Sequence, residues 1–477
     1  MLFNSYDYLV YFLPVTLLGF FLVGRRPVVA QIWLVLASLF FYGWWNPKHL
    51  PLLAASVAFN FIVSQMLSRP IANRRMCLAL AIGANLLVLA VFKYADFLVE
   101  TVSALADVPL EGPHLVLPLG ISFFTFTQIA YLVDTYYGSA KDSRPENYAL
   151  FVSFFPHLLA GPIIHHSEMM PQFASSRNKS PQAANLAAGL FLLSIGLGKK
   201  VLLADQFAPI ADYGFAHPGA LSMLDAWAAA IAYAMQIYFD FSGYTDMALG
   251  AARMFNIHLP INFDSPYRSM SIREFWRRWH ITLSRFLRQY LYIPLGGNRK
   301  GETSTLMNLI ITFALGGLWH GAAWTFVVWG LLHGVAVAWL RIWDRTTWRI
   351  PRSMAWATTF VFVAVTWVFF RAHSLHDALS IVRAMFGFGI SPGPAGSDWA
   401  SFWPRIESLS SLASSLPATL SILPLMIGLV IVWLPRNSNS MTAEFRPTLA
   451  NAAFVVVVVP LCVLQLGRTS PFLYFNF

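Results

Sequence analysis

Charge is what this 477-residue chain has least of: Asp, Glu, Lys and Arg together make up 11% of it. Soluble domains carry about 25% charged residues, so a chain that folds in water from end to end is excluded. Cysteine is almost missing too. Cys77 and Cys462 are the two present, and both fall inside apolar runs. That argues against a disulfide framework or a thiolate metal centre and leaves two small core residues. Long polar stretches are absent as well, the longest being residues 165–184 and 390–417. Neither can hold a folded soluble domain, and the second, rich in Ser, Pro and Gly, reads as a loop with at most a short surface helix. With no repeat of fixed period, the chain is expected to form a single membrane-embedded domain, residues 1–477.

What is abundant is apolar surface. Hydrophobic residues make up 57% of the chain, aromatic residues 16%, and mean hydropathy is +0.58. Crossing the hydrocarbon of a bilayer takes roughly 20 mostly apolar residues. Such runs occur near 8–23, 27–45, 50–67, 76–92, 115–133, 148–164, 185–203, 223–243, 305–320, 322–340, 354–370, 418–434 and 449–467. Several are short or broken by Gly and Pro. The fold expected is therefore an all-α polytopic membrane protein with about eleven full spans and one or two re-entrant or interfacial helices.

The net charge of +10 does not point to nucleic acid here, because the basic residues collect in short loops. Arg25 and Arg26 follow the first span, Arg69, Arg74 and Arg75 the third, and Lys141 and Arg144 the fifth. Lys48 alone follows the second, and Lys93 is outweighed by Asp96, Glu100, Asp107 and Glu111 after the fourth. The positive-inside rule then puts loops one, three and five in the cytoplasm and the N-terminus outside. The opening MLFNSYDYLVYF has no basic n-region and no small-residue cleavage site, so it reads as a retained span.

Against this background, residues 275–301, FWRRWHITLSRFLRQYLYIPLGGNRKG, hold six basic residues. On a helix, Trp276, Trp279, His280, Leu283, Phe286, Leu287 and Tyr290 share one face, with Arg277, Arg278, Arg285 and Arg288 on the other. Such a helix is expected to lie along the membrane surface or to dip into a cavity, with its arginines at cytoplasmic phosphates. Pro294 and two glycines then force a loop bearing Asn298, Arg299 and Lys300. The arginines by themselves read as an interfacial anchor and the aromatic stripe as packing. His280 differs, since a polar side chain at membrane depth needs a partner or a function.

A second constellation, LGGLWHGAAWTFVVWGLLHG, occupies residues 315–334. As one helix the run 305–340 would be roughly 54 Å long, more than the ~30 Å hydrocarbon. It must turn or tilt, and Gly316, Gly317 and Gly321 mark the place, which puts His320 at a break. His320 and His333 are 13 positions apart and lie on different faces of any single helix, with no Cys or acid at ligand spacing. No metal site is expected from them. What remains is an imidazole with an ordinary pKa of about 6.5, suited to a general base. It could take a proton from a hydroxyl attacking an acyl thioester while the basic loop holds the phosphates of an acyl carrier. Two further polar islands interrupt apolar sequence: YFDFSGYTDMALG, with Asp240, Ser242, Tyr244 and Asp246, and FPHLLAGPI, with His157. Each reads equally as a helix end or as the lining of a cavity.

Taken together and in order, FPHLLAGP, YFDFSGYTDMA, FWRRWH, LGGNRKG, GGLWHG and WGLLHG resemble the membrane-bound O-acyltransferase (MBOAT) family, in particular its bacterial AlgI-like branch that O-acetylates polysaccharides. The opening FNSYDYLVYFLP and the terminal PFLYFNF resemble that branch too. The similarity runs from residue 1 to about 372 and returns at the C-terminus, while 375–465 match in hydrophobicity alone. The resemblance implies about eleven spans around a central funnel. It assigns the catalytic histidine to His320 and the second characteristic polar position to His280, with His333 a further recurrent histidine.

By the same resemblance, Trp276, Arg277, Arg278, Asn298, Arg299 and Lys300 would form a cytoplasmic mouth for the acyl donor. Asp240, Ser242, Tyr244, His157 and His333 would line the funnel. The donor implied is acetyl-CoA or another acyl thioester, with no bound cofactor and no metal. The setting is the bacterial inner membrane. The product is an acetylated exported polysaccharide, with alginate, cellulose and peptidoglycan all open. A conduit that moves an acyl carrier or glycan without chemistry is the alternative, although internal repeats, frequent in transporters, are missing. No loop exceeds about 30 residues, too little for a groove that binds polymer. A separate periplasmic serine-esterase (SGNH) type of acetyltransferase is therefore the expected partner.

Overall fold

In lipid every backbone hydrogen bond must be met internally, and the chain meets this condition with helices. The computed structural model describes residues 1–140, 144–389, 423–468 and 472–473. Among them there is no strand. The loop expected over 390–417 and the basic Lys141 lie outside the described residues. Among the described residues, five helices are long and apolar enough to cross a membrane: Pro47–Leu67, Arg74–Ala106, Ala183–Ala216, Trp324–Trp343 and Arg352–Arg371. Shorter apolar helices occupy Asp7–Leu22, Pro27–Gly43 and Leu449–Gln465. The chain forms two compact units: residues 1–195, 244–261 and 444–457, and residues 196–243, 262–443 and 458–477.

In the first unit, α1 (Leu13–Leu22), α2 (Pro27–Gly43) and α3 (Leu50–Leu67) each carry proline in the first turn, where a missing N–H costs nothing. α4 (Arg74–Ala106) overruns the expected 76–92 span and continues past Lys93. Between α3 and α4, Asn60 and Asn85 exchange amide hydrogen bonds of 3.0 and 2.7 Å, a polar join between helices that lipid cannot drive together. α5 (Ile121–Tyr136) adds a second such join, from Gln128 Nε2 to Ser56 Oγ at 2.8 Å. The Arg74 guanidinium donates to the Leu67 carbonyl at 2.8 Å and the Tyr136 carbonyl at 2.9 Å. The ends of α3 and α5 therefore meet at the start of α4, and the third and fifth loops lie on one side.

The expected 148–164 span is not one helix. α6 (Pro145–Ser153) stops at Phe154, and α7 (Phe155–Leu158) is a single turn. Pro156 has no N–H to return to the carbonyl four residues back, which breaks the ladder there. α8 (His166–Ala174) follows. α9 (Ala183–Gly198) then widens into a π turn over Lys199–Ala204 and continues as α10 (Asp205–Ala216) in the second unit. α11 (Met223–Met254) passes from the second unit into the first at Tyr244.

The second unit holds the motifs of residues 275–301 and 315–334. The single amphipathic helix expected over 275–292 is two short ones, α12 (Ile272–Arg278) and α13 (Ile281–Leu287), separated by Trp279 and His280. The 305–340 run does turn, but at Gly321 rather than at Gly316 or Gly317. α14 (Glu302–His320) and α15 (Trp324–Trp343) flank that turn. Gly317 and Gly330 serve close packing instead. A Cβ on Gly330 would stand 2.3 Å from the Phe313 carbonyl oxygen, and one on Gly317 would stand 2.2 Å from that of Phe326. At the open end of this hairpin Arg341 Nε meets Glu302 at 2.8 Å. α16 (Arg352–Arg371) packs beside α15, and α17 (Leu375–Arg383) follows.

Candidate functional site

His280 sits where the backbone is left-handed, at φ +45° and ψ +53°, a conformation that costs a non-glycine residue about 1–3 kcal/mol. The segment 262–264 holds the kink from both sides. Ile281 N–H donates to the Asn262 carbonyl at 3.0 Å, and Asp264 N–H donates to the Arg278 carbonyl at 2.9 Å. The Asn262 side chain then fixes the imidazole. Its Oδ1 accepts from the Thr282 N–H at 3.2 Å and from the Thr282 hydroxyl at 2.7 Å, so this atom is the carbonyl oxygen of the amide. His280 Nδ1 faces the same oxygen at 3.4 Å. Nδ1 therefore carries the proton, and Nε2 is the nitrogen with the lone pair.

His320 is the last residue of α14. Its ring centre is 6.3 Å from that of His280. Trp319, Trp329 and Phe370 stand around it at 4.9, 5.2 and 5.2 Å, each edge to face. His320 and His280 are thus two buried imidazoles set side by side against an aromatic wall.

His333 is placed differently from the pair. The Trp276 indole N–H donates to its Nδ1 at 3.2 Å, and Nε2 lies 3.0 Å from the Thr366 hydroxyl, which donates onward to the Val363 carbonyl at 2.9 Å. Both ring nitrogens are committed, so His333 orients the packing of Trp276 and Trp329. Trp276, read from sequence as part of a donor mouth, turns inward and is buried.

Of the other mouth residues, Arg277 is exposed. Arg278 braces the kink through Glu274 at 3.0 Å and the Asp264 carbonyl at 3.1 Å. Asn298, Arg299 and Lys300 are exposed on a loop whose Gly296, Gly297 and Gly301 all have positive φ. Asn308 pins that loop by donating to the Gly297 carbonyl at 3.0 Å.

The residues read as lining are also accounted for by local partners. Asp240 is a buried ion pair rather than an open lining group. Lys200 reaches it at 2.7 Å and Asp205 at 2.8 Å, and the Leu473 N–H donates to Asp240 at 2.9 Å. Ser242 is buried nearby on α11. In the first unit Tyr244 stacks on Phe3 at 4.6 Å, and His157 Nε2 lies 3.0 Å from the Phe151 carbonyl. The sequence reading missed Asn262, Thr366 and Lys200. Lys200 had a signal: a lysine inside the apolar run 185–203, which calls for an acidic partner.

Helices long enough to span a bilayer, with a buried histidine pair at a broken helix among them, define an integral membrane protein. Residues 139–375 match the sequence model of the membrane-bound O-acyltransferase family. Over its full length the chain is 42% identical to the peptidoglycan O-acetyltransferase of Helicobacter pylori, covering 98% of that protein. It is 37% identical to the probable alginate O-acetylase AlgI of Pseudomonas putida, with all of both chains covered. A teichoic acid D-alanyltransferase of Streptococcus thermophilus is 28% identical over 47% of this chain and 57% of that one. The chain belongs to the membrane-bound O-acyltransferase family, and it is an O-acyltransferase.

Proposed function

We propose that this enzyme takes acetyl from a cytoplasmic thioester, acetyl-CoA first among the candidates, and delivers it across the inner membrane for O-acetylation of an extracytoplasmic polysaccharide. The observation that carries this reading is the buried pair His280 and His320, 6.3 Å between ring centres. His320 is the base. It takes the proton of an attacking hydroxyl, the hydroxyl oxygen bonds to the acyl carbon, the carbon–sulfur bond breaks, and the proton passes from His320 to the leaving thiolate. His280 orients the reacting groups through its acceptor nitrogen. Peptidoglycan and alginate are the polymers that the names of the full-length relatives suggest.

In this reading the N-terminus is periplasmic, and about eleven spans line a central funnel within one membrane domain. The exposed Arg277, Asn298, Arg299 and Lys300 meet the donor's phosphates at the cytoplasmic mouth. Lysine and arginine on an exposed glycine turn suit that task. Since the chain offers no long loop for polymer, a periplasmic serine-esterase type of acetyltransferase receives the acetyl group and places it on the sugar.

The test is His320→Ala in membranes of normal protein abundance. Acetyl transfer should fall by at least about a hundredfold, and loss of less than about tenfold would remove His320 as the base. His280→Ala should leave a small residual rate. Arg299→Gln with Lys300→Gln should raise the donor concentration needed more than it lowers the maximal rate, and an unchanged donor dependence would leave those residues as a membrane anchor. In liposomes with acetyl-CoA and polymer on opposite sides, efficient acetylation without a partner would overturn the two-protein scheme.

A further inference from the structure

Away from the histidine pair, ligating side chains also gather in the first unit, where α5 ends and α8 begins. Asp134 Oδ2 lies 2.9 Å from His165 Nε2 and 3.2 Å from His166 Nδ1. All three ligand atoms fall within 4.8 Å of one another. The side chains are 14%, 21% and 7% exposed in that order, sheltered but open to solutes.

The outer nitrogens show which way the inner ones face. His166 Nε2 is 3.2 Å from the Ser139 carbonyl oxygen, which can only accept, so Nε2 holds a hydrogen there. A neutral His166 then turns the lone pair of Nδ1 toward the carboxylate oxygen of Asp134, and two acceptors at 3.2 Å need a positive charge between them. That charge is a proton or a metal ion. His165 Nδ1 is 2.6 Å from the Ser167 hydroxyl and accepts from the Ser167 N–H at 3.4 Å, so Nε2 donates to Asp134 here and becomes a ligand when a metal displaces that hydrogen and Nδ1 takes one up to donate to the Ser167 hydroxyl oxygen. An outer nitrogen bonded to a carbonyl or hydroxyl is the usual support of a metal-bound imidazole.

Two of the three separations agree with a metal, and the third, between the two nitrogens, is within 4.8 Å. Ligands about 2.0–2.1 Å from a tetrahedral zinc lie about 3.3 Å apart, close to the two measured nitrogen–oxygen separations. Imidazole and carboxylate without thiolate suit zinc and its neighbours in the first transition row. We propose that Asp134, His165 and His166 form a divalent-metal site that takes zinc, with solvent as the fourth ligand. The ion ties the end of α5 to the start of α8 and so closes the excursion that carries α6, α7 and the FPHLLAGP motif. It is separate from the acyl-transfer chemistry of His320.

The test uses tag-free, full-length protein in detergent, stripped with a chelator and dialysed against zinc chloride. One zinc per chain should bind, and the melting temperature should rise. His166→Gln and Asp134→Asn should each weaken zinc binding at least about tenfold and abolish the rise, while His320→Ala binds as wild type does. Cobalt(II) added to wild-type protein should give the intense visible spectrum of a four-coordinate site, which decides the matter even where a variant fails to fold. No bound zinc at micromolar concentration, an octahedral-type weak cobalt spectrum, or equal binding by the His166 and Asp134 variants would overturn the site.

Discussion

The indole N–H of Trp276 donates to Nδ1 of His333 at 3.2 Å, and that one bond separates the protein's third motif histidine from the chemistry. With Nε2 directed at Thr366, His333 has no nitrogen left to take a proton. His333→Gln should therefore act on stability, since a buried donor left without a partner costs about 1–3 kcal/mol. The melting temperature in detergent should fall while the rate stays within about tenfold of wild type. A hundredfold loss of rate with an unchanged melting temperature would move the base from His320 to His333.

Asn262 should matter as a positioning residue. Asn262→Leu removes the oxygen shared by Thr282 and His280, so the maximal rate should drop about tenfold or more while the donor KM stays constant. Asn262→Asp keeps that oxygen and should restore most of the rate. If Asp and Leu prove equally damaging, the oxygen is not what holds the imidazole.

The buried pair of Lys200 and Asp240 carries a different expectation. Lys200→Met leaves the Asp240 carboxylate without its partner at 2.7 Å, a loss of about 3–5 kcal/mol when a buried pair is broken. Adding Asp240→Asn should return part of that stability, measured as the melting temperature in detergent. A double variant less stable than Lys200→Met would mean that the carboxylate has an independent role.

At Gly330 the outcome depends on space alone. A side chain there meets the Phe313 carbonyl oxygen at 2.3 Å, and α14 cannot yield without moving His320. Gly330→Val should abolish folded protein in the membrane. Gly83, whose Cβ would meet nothing within 4 Å, should accept alanine unchanged. Equal abundance of the two variants would show that the hairpin is looser than its packing.

The membrane class was legible from hydropathy, because spanning demands a long apolar run and little else has one. The turn beside His320 was legible for the same reason, since 305–340 is too long for one crossing. The kink at His280 was not. The pattern over 275–292 fits a helix face, and the break is imposed by hydrogen bonds from 262–264 that no local periodicity records. Asp240 read as an open polar group for a similar reason. Its partner Lys200 is 40 positions away, inside the apolar run 185–203 on another helix. His165 and His166 stood beside a motif that drew attention to its proline breaks, and Asp134 lies on a different helix.

α14 has one more property. From Glu302 to His320 its backbone climbs about 27 Å at 1.5 Å per residue, nearly the depth of the hydrocarbon. The glycine turn with Arg299 and Lys300 is at one end, and His320 is at the other. In the proposed reading, a donor gripped by its phosphates at that turn presents its thioester to His320 only through a long, slender arm. On that reading the helix is a measuring rod: it would admit carriers whose acyl group hangs at the end of an extended tether and leave short thioesters such as an acetylated cysteamine unable to touch both ends at once.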